Sequence, residues 1–161
     1  MKNGHGELKD LVAGMTVAVD VPSRMHIINP FTRMPLRSSN GDPAWIDVLS
    51  DSSRAGAAWV RELTDKNLQR RGRTQRAEDL EIDLSEKATR LTVGWNLCTF
   101  DGTPIELPFT VGNARDLYNM PEMSWLRDQV LEFSADLGNY RRRPSTASST
   151  TPDTASASTA S

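Results

Sequence analysis

The side chains able to do chemistry in this chain are few and scattered. There are two histidines and one cysteine. A zinc-type site needs three or four converging ligands. His5 lies near the N-terminus, and His26 sits in a candidate strand with no cysteine or second histidine at ligand spacing. Cys98 has no partner for a disulfide and no redox motif around it, so it reads as a structural thiol. No serine occupies a nucleophile elbow, and no glycine-rich loop is built to cradle a phosphate. The carboxylates read as solvated helix faces. These residues predict a protein that is not an enzyme and uses no cofactor or metal. Two basic clusters, QRRGRTQR at 69–76 and RRR at 141–143, offer phosphate contacts. The first falls at a helix end, where cations are favoured in any case, and no aromatics interleave with either for base stacking. The pattern argues against nucleic-acid binding.

What remains is a set of apolar and aromatic residues and the elements that must carry them. TVAVDVP alternates Val17, Val19 and Val21 against smaller or polar residues, the period of a half-buried strand. MHIIN is a second short strand candidate, and WIDVLS at 45–50 a third, with Ile46 and Val48 on one face. Turn signals separate them, among them Asn29-Pro30 and Asn40-Gly41. Helical spacing begins at DSSRAGAAWVRELTDKNLQRR. Asp51, Ser52 or Ser53 is the expected cap, Ala55, Trp59 and Leu63 the apolar stripe, and Gly72 the terminator. The spacing of Leu80, Leu84, Ala88, Leu91 and Trp95 predicts a helix over 77–97. Asp101-Gly102 and Pro104 break the chain. Thr110 then caps a short helix that buries Ala114, Leu117 and Tyr118. Pro121 opens a last helix with a seam of Met123, Leu126, Val130, Phe133 and Leu137, closed by Gly138.

These elements predict an α+β fold: a small N-terminal antiparallel sheet followed by about four helices. The expected organisation is a flexible N-terminus over 1–14 and a single domain over 15–143. Within it, 15–50 is mainly strands and 51–140 mainly helical. Hydrophobic residues make up 37% of the chain and the net charge is -2. The apolar deficit is concentrated at the end, where 145–161 reads STASSTTPDTASASTAS. Such a segment has no large apolar side chain to offset the entropy of ordering itself, so a disordered tail is expected over 144–161. No run approaches the length of a membrane span, and the first residues lack the apolar core of a signal peptide. The expectation is a soluble cytoplasmic protein that does not enter a membrane.

The order of these pieces resembles the tail assembly chaperones of long-tailed bacteriophages. The matching stretches are DSSRAGAAWVRELTDKNLQRR, LTVGWNL, DGTPIELPFT, GNARDLY and WLRDQVLEFSADLGNY, which together span about 45–140. The tail lies outside that pattern. The resemblance implies a non-catalytic protein of the infected host's cytoplasm that coats the long helical tape measure protein. It implies help for tail tube subunits as they polymerise around that protein, and absence from the mature virion. A small helical domain suits such a partner, because an amphipathic helix can lay its apolar stripe in a groove, and weak repeated contacts release readily. The region 91–137 is the expected contact surface, with Trp95, Phe109, Tyr118 and Trp125 as candidate anchors. Each of the four is at least as well placed to be core. Trp45 and Trp59 are further aromatics able to pack near this corner. Two other functions fit the same residues: a structural virion protein of the minor tail or head–tail joint, and a small nucleic-acid-binding regulator.

Overall fold

The computed structural model of the chain describes residues 4–70 and 76–141. It separates into two units. The smaller holds Val17 and the residues before it together with Arg141. Its helix α1 (Gly4–Leu11) occupies part of the stretch expected to be flexible, and a 3₁₀ turn follows at Ala13–Met15. Val17 makes one isolated antiparallel bridge to Arg141. The strand expected from TVAVDVP is absent. Alternation makes a strand only where one face is buried, and here Val17 and Val21 are both exposed. The tail expected to be disordered and the terminator Gly72 lie outside the described residues.

Ala18–Tyr140 forms the larger unit. Its sheet has four antiparallel strands in the order β1 (Ser23–His26), β2 (Trp45–Val48), β3 (Thr92–Cys98) and β4 (Pro104–Ile105). The α+β class therefore holds, but half of the strands come from beyond the first two long helices. One row of the register, Met25, Ile46 and Trp95, points into the core. The next row, Arg24, Asp47 and Gly94, faces outward, where the Arg24 guanidinium donates to Asp47 at 2.9 Å and lies 3.6 Å over the Trp45 ring.

Among the described residues of this unit are four α-helices: α2 (Arg54–Gln69), α3 (Ala77–Leu91), α4 (Val111–Asn119) and α5 (Ser124–Ala135). Ser53 caps α2 by accepting from the Gly56 N–H at 3.2 Å, and Thr110 caps α4 by accepting from Asn113 at 3.0 Å. Both were among the expected caps. The helix expected over 77–97 ends at Leu91, and Trp95 lies on a strand. Gly94 and the β-branched pair Thr92-Val93 are poor helix formers, and pairing with β2 supplies their backbone bonds instead. The expected stripe on α3 is also shifted. Leu80 is exposed, and the buried set is Asp83, Ser85, Ala88, Thr89 and Leu91. Polar members enter the core because each finds a partner: Ser85 donates to the Tyr118 carbonyl at 2.9 Å, and Thr89 donates to the Ser85 carbonyl at 2.8 Å. In α5, Leu126 and Val130 are buried, whereas Leu137 is exposed and falls in a 3₁₀ turn with Gly138, after the helix has ended. Pro121 opens a separate 3₁₀ turn ahead of α5. No helix among the described residues is long and apolar enough to cross a membrane.

Candidate functional site

The four expected anchors do not share one surface. Tyr118 is 1% exposed, and its hydroxyl lies 2.8 Å from that of Thr92, so in this fold it is core. Trp95 is buried too, with its indole N–H donating to the Leu107 carbonyl at 2.8 Å. Phe109 meets Trp95 edge to face, with centroids 5.1 Å apart, and lines a cleft of about 640 Å³ between α2 and α4. Trp125 is half-buried and lines a different depression. The extended segment Pro104–Phe109 passes between the two, with Leu107 toward one and Phe109 toward the other. Of the remaining tryptophans, Trp59 is buried and Trp45 lies on the outward face of the sheet.

Phe109's cleft has a charged wall. Glu62, Arg90, Glu86 and Arg115 alternate in sign across α2, α3 and α4, with contacts of 2.6, 3.4 and 2.9 Å. The Arg115 guanidinium, with Arg90 behind it, holds the Glu86 carboxyl below the usual range against the opposing effect of burial. Each of these four charges faces an opposite one, so the wall works as a clasp joining three helices.

Trp125's depression is the more distinctive. It is a groove of about 410 Å³ whose floor is Ile27, Leu36, Leu97 and Leu126, with Ile105 and Met123 on its sides. Above it stands a ladder of three aromatic rings. Phe31 meets Phe100 at 5.4 Å between centroids, and Phe100 meets Trp125 at 5.6 Å. Phe31 is 80% exposed and Phe100 49%. Rings left this open do little for folding, and they leave exposed apolar surface beside the groove.

The loops holding these rings are built with care. The Gln129 side chain, reaching from α5, accepts from the Ile28 N–H at 3.0 Å and donates to the Ile28 carbonyl at 2.7 Å. The Asn29 side chain then accepts from the Phe31 N–H at 2.9 Å, fixing the turn that presents this ring. On the other side, the Asp101 carboxylate accepts from the hydroxyls of Thr99 and Thr103. Gly102, at a φ of 90°, lies close to the backbone of Ser39, whose N–H donates to its carbonyl at 2.8 Å. These bonds fix the backbone of the rim that carries the rings.

Phe31 and Phe100 are the members missed from the sequence. The signal was local and non-periodic: in NPFTRMP and LCTFDGTP, each phenylalanine stands one or two residues from a turn former. Cys98 lies against this groove, where burial, followed by the charge of Asp101, pushes its thiol up and keeps it protonated. His26 is exposed on β1. No group of three His, Cys, Asp or Glu side chains is placed to hold a metal ion among the described residues. Comparison with known proteins adds no relative: no family model matches the chain, and neither a curated protein nor a solved structure matches it.

Proposed function

We propose that this chain is a non-catalytic tail assembly chaperone of a long-tailed bacteriophage. It binds the tape measure protein in the host cytoplasm, promotes tail tube polymerisation around it, and leaves before the virion is mature. The observation that supports this reading best is the uncovered aromatic groove of Phe31, Phe100 and Trp125 on a small α+β domain. A tape measure protein exposes apolar helical stripes until the tube encloses it, and a groove of this kind shields such a stripe. The ordered motifs between 45 and 140 support the same reading, through their resemblance to that family.

The experiment is a tagged pull-down from infected cells, with the co-purifying proteins identified by mass spectrometry and the purified particles probed for the tagged chain. Recovery of a very long helical phage protein with a tail tube subunit, and no tagged chain in particles, is the expected result. Retention in particles would replace this reading with that of a structural virion protein. Recovery of nucleic acid alone would replace it with that of a regulator.

A further inference from the structure

We propose that the groove beneath Phe31, Phe100 and Trp125 receives one amphipathic helix whose apolar stripe is flanked by lysine or arginine. This rests on the chaperone reading and deepens it by stating the chemistry of the segment that is bound.

The geometry excludes other occupants in turn. An extended peptide cannot add to the ribbon beside the groove, because Pro104 and Pro108 have no N–H for a ladder and β4 is only two residues long. The groove offers side chains instead, which suits a partner that presents side chains of its own. Nor do the residues outside the described ones hold an apolar segment in reserve. Outside the described residues, 1–3, 71–75 and 142–161 contain no large apolar residue except Met1.

The charge of the flanks follows from the lip. Glu122 is the one charged residue among those lining the groove, and it has no hydrogen-bond or ion-pair partner in the described structure. Asp101 follows Phe100 directly. The hydroxyls of Thr99 and Thr103 hold its carboxyl below the usual range, so it stays ionised. No lysine or arginine lines the groove. On the Phe31 side, Arg37 has its guanidinium on the Gly41 carbonyl at 3.2 Å, and Arg33 sits in the exposed turn. A helix entering between Phe100 and Met123 therefore meets the Glu122 carboxylate in the lining, with Asp101 next to Phe100 in the chain and no cation among the lining residues.

The test uses the full chain and two fluorescent synthetic peptides that share one leucine stripe at i, i+3, i+4 and i+7. One carries lysine beside the stripe and the other glutamate. Anisotropy is read at low ionic strength, where screening is weak. The lysine peptide is expected to bind about tenfold more tightly, the size of two partly exposed charge pairs. The preference should narrow in Glu122→Gln and vanish in Asp101→Asn/Glu122→Gln, a pair that keeps the turn because the asparagine oxygen still accepts from Thr99 and Thr103. Phe100→Ala should weaken both peptides, with circular dichroism confirming that the variant is folded. Equal affinity for the two peptides, binding of neither, or a preference that survives the double variant would each overturn the proposal. So would a concentration-dependent dimer that Phe31→Ala splits, since that places a second copy in the groove. If the peptide preference holds but no tape measure protein co-purifies from infected cells, the chaperone reading falls and the groove assignment stands. If the tape measure protein co-purifies and the peptides bind equally, the reverse is true.

Discussion

The hydroxyls of Tyr118 and Thr92 lie 2.8 Å apart in the core, joining the last full turn of α4 to the first residue of β3. Thr92 also donates to the Ala88 carbonyl at 2.8 Å, so one threonine ties the end of α3, the start of the strand and the neighbouring helix. Tyr118→Phe removes one partner of that bond and keeps the ring. The expected loss is about 1–2 kcal/mol of unfolding free energy, measured by urea titration with an unchanged m-value.

The alkaline limit follows from the same burial. The chain has two tyrosines, Tyr118 and Tyr140, and burial raises the pKa of both. Asp51 adds its charge at Tyr140. In the unfolded chain each ionises near about 10. A raised folded value means that stability is intact below that pH and falls as pH rises above it, because the unfolded state then releases protons that the folded state retains. Absorbance of tyrosinate should therefore stay flat through about pH 10 and then rise together with loss of the circular dichroism signal. A separate tyrosinate step in the folded protein near pH 10 would contradict this.

Gly102 carries a third prediction. A Cβ there would lie 2.8 Å from the Ser39 nitrogen and 3.3 Å from the Ser38 carbonyl carbon, both backbone atoms, at a φ of 90°. Gly41 has nearly the same φ, 89°, with open space around it. Gly102→Ala is expected to lose about 2–3 kcal/mol, and Gly41→Ala about 1 kcal/mol. Chemical denaturation of the pair separates backbone strain from collision, and equal losses would show that the Ser39 contact yields.

Features with a local cause were legible in the sequence. Ser53 and Thr110 cap their helices through a side chain and an N–H three residues on. Ile46 and Val48 sit inward on β2 as their alternation requires. The α+β class followed from such signals. What failed was set by distant pairing. The helical spacing that ends at Trp95 continues by coincidence past Leu91, and the ladder with β2 overrides it. TVAVDVP had strand alternation but no sheet to join. The aromatic ladder was out of reach for the same reason: Phe31, Phe100 and Trp125 come from three loops or helix starts with no shared period. The Gln129 amide that fixes Ile28 belongs to no motif. The sequence makes Trp95 and Tyr118 at least as fit for core as for contact, and in the fold both are buried.

At acid pH the clasp of Glu62, Arg90, Glu86 and Arg115 should govern stability. Arg115 lowers the Glu86 pKa, and Arg90 lowers that of Glu62. A depressed folded value means that the contribution is present above the unfolded pKa of about 4.3 and is lost as pH falls through the folded one. Thermal midpoints are expected to drop below about pH 4.3 and to be more salt-sensitive above it. Glu86→Gln should lower the midpoint at neutral pH and flatten the acid slope. If the slope is unchanged, other carboxylates control acid unfolding.

The groove and the core should respond differently to truncation. Trp95 is 9% exposed, donates through its indole and meets Phe109 edge to face, so Trp95→Ala is expected to lose about 3–5 kcal/mol. Phe31 is 80% exposed and touches chiefly the Phe100 ring, so Phe31→Ala should stay within about 1 kcal/mol of the parent. Trp125 falls between them, because it lines the groove and also packs on the core. Trp125→Ala should therefore lower stability by an intermediate amount and weaken partner capture as well. Measuring unfolding and tape measure co-purification on the same three variants makes the distinction. Lost capture in Phe31→Ala at near-parent stability marks the ring as a binding element, whereas full capture would move the contact surface away from this ladder.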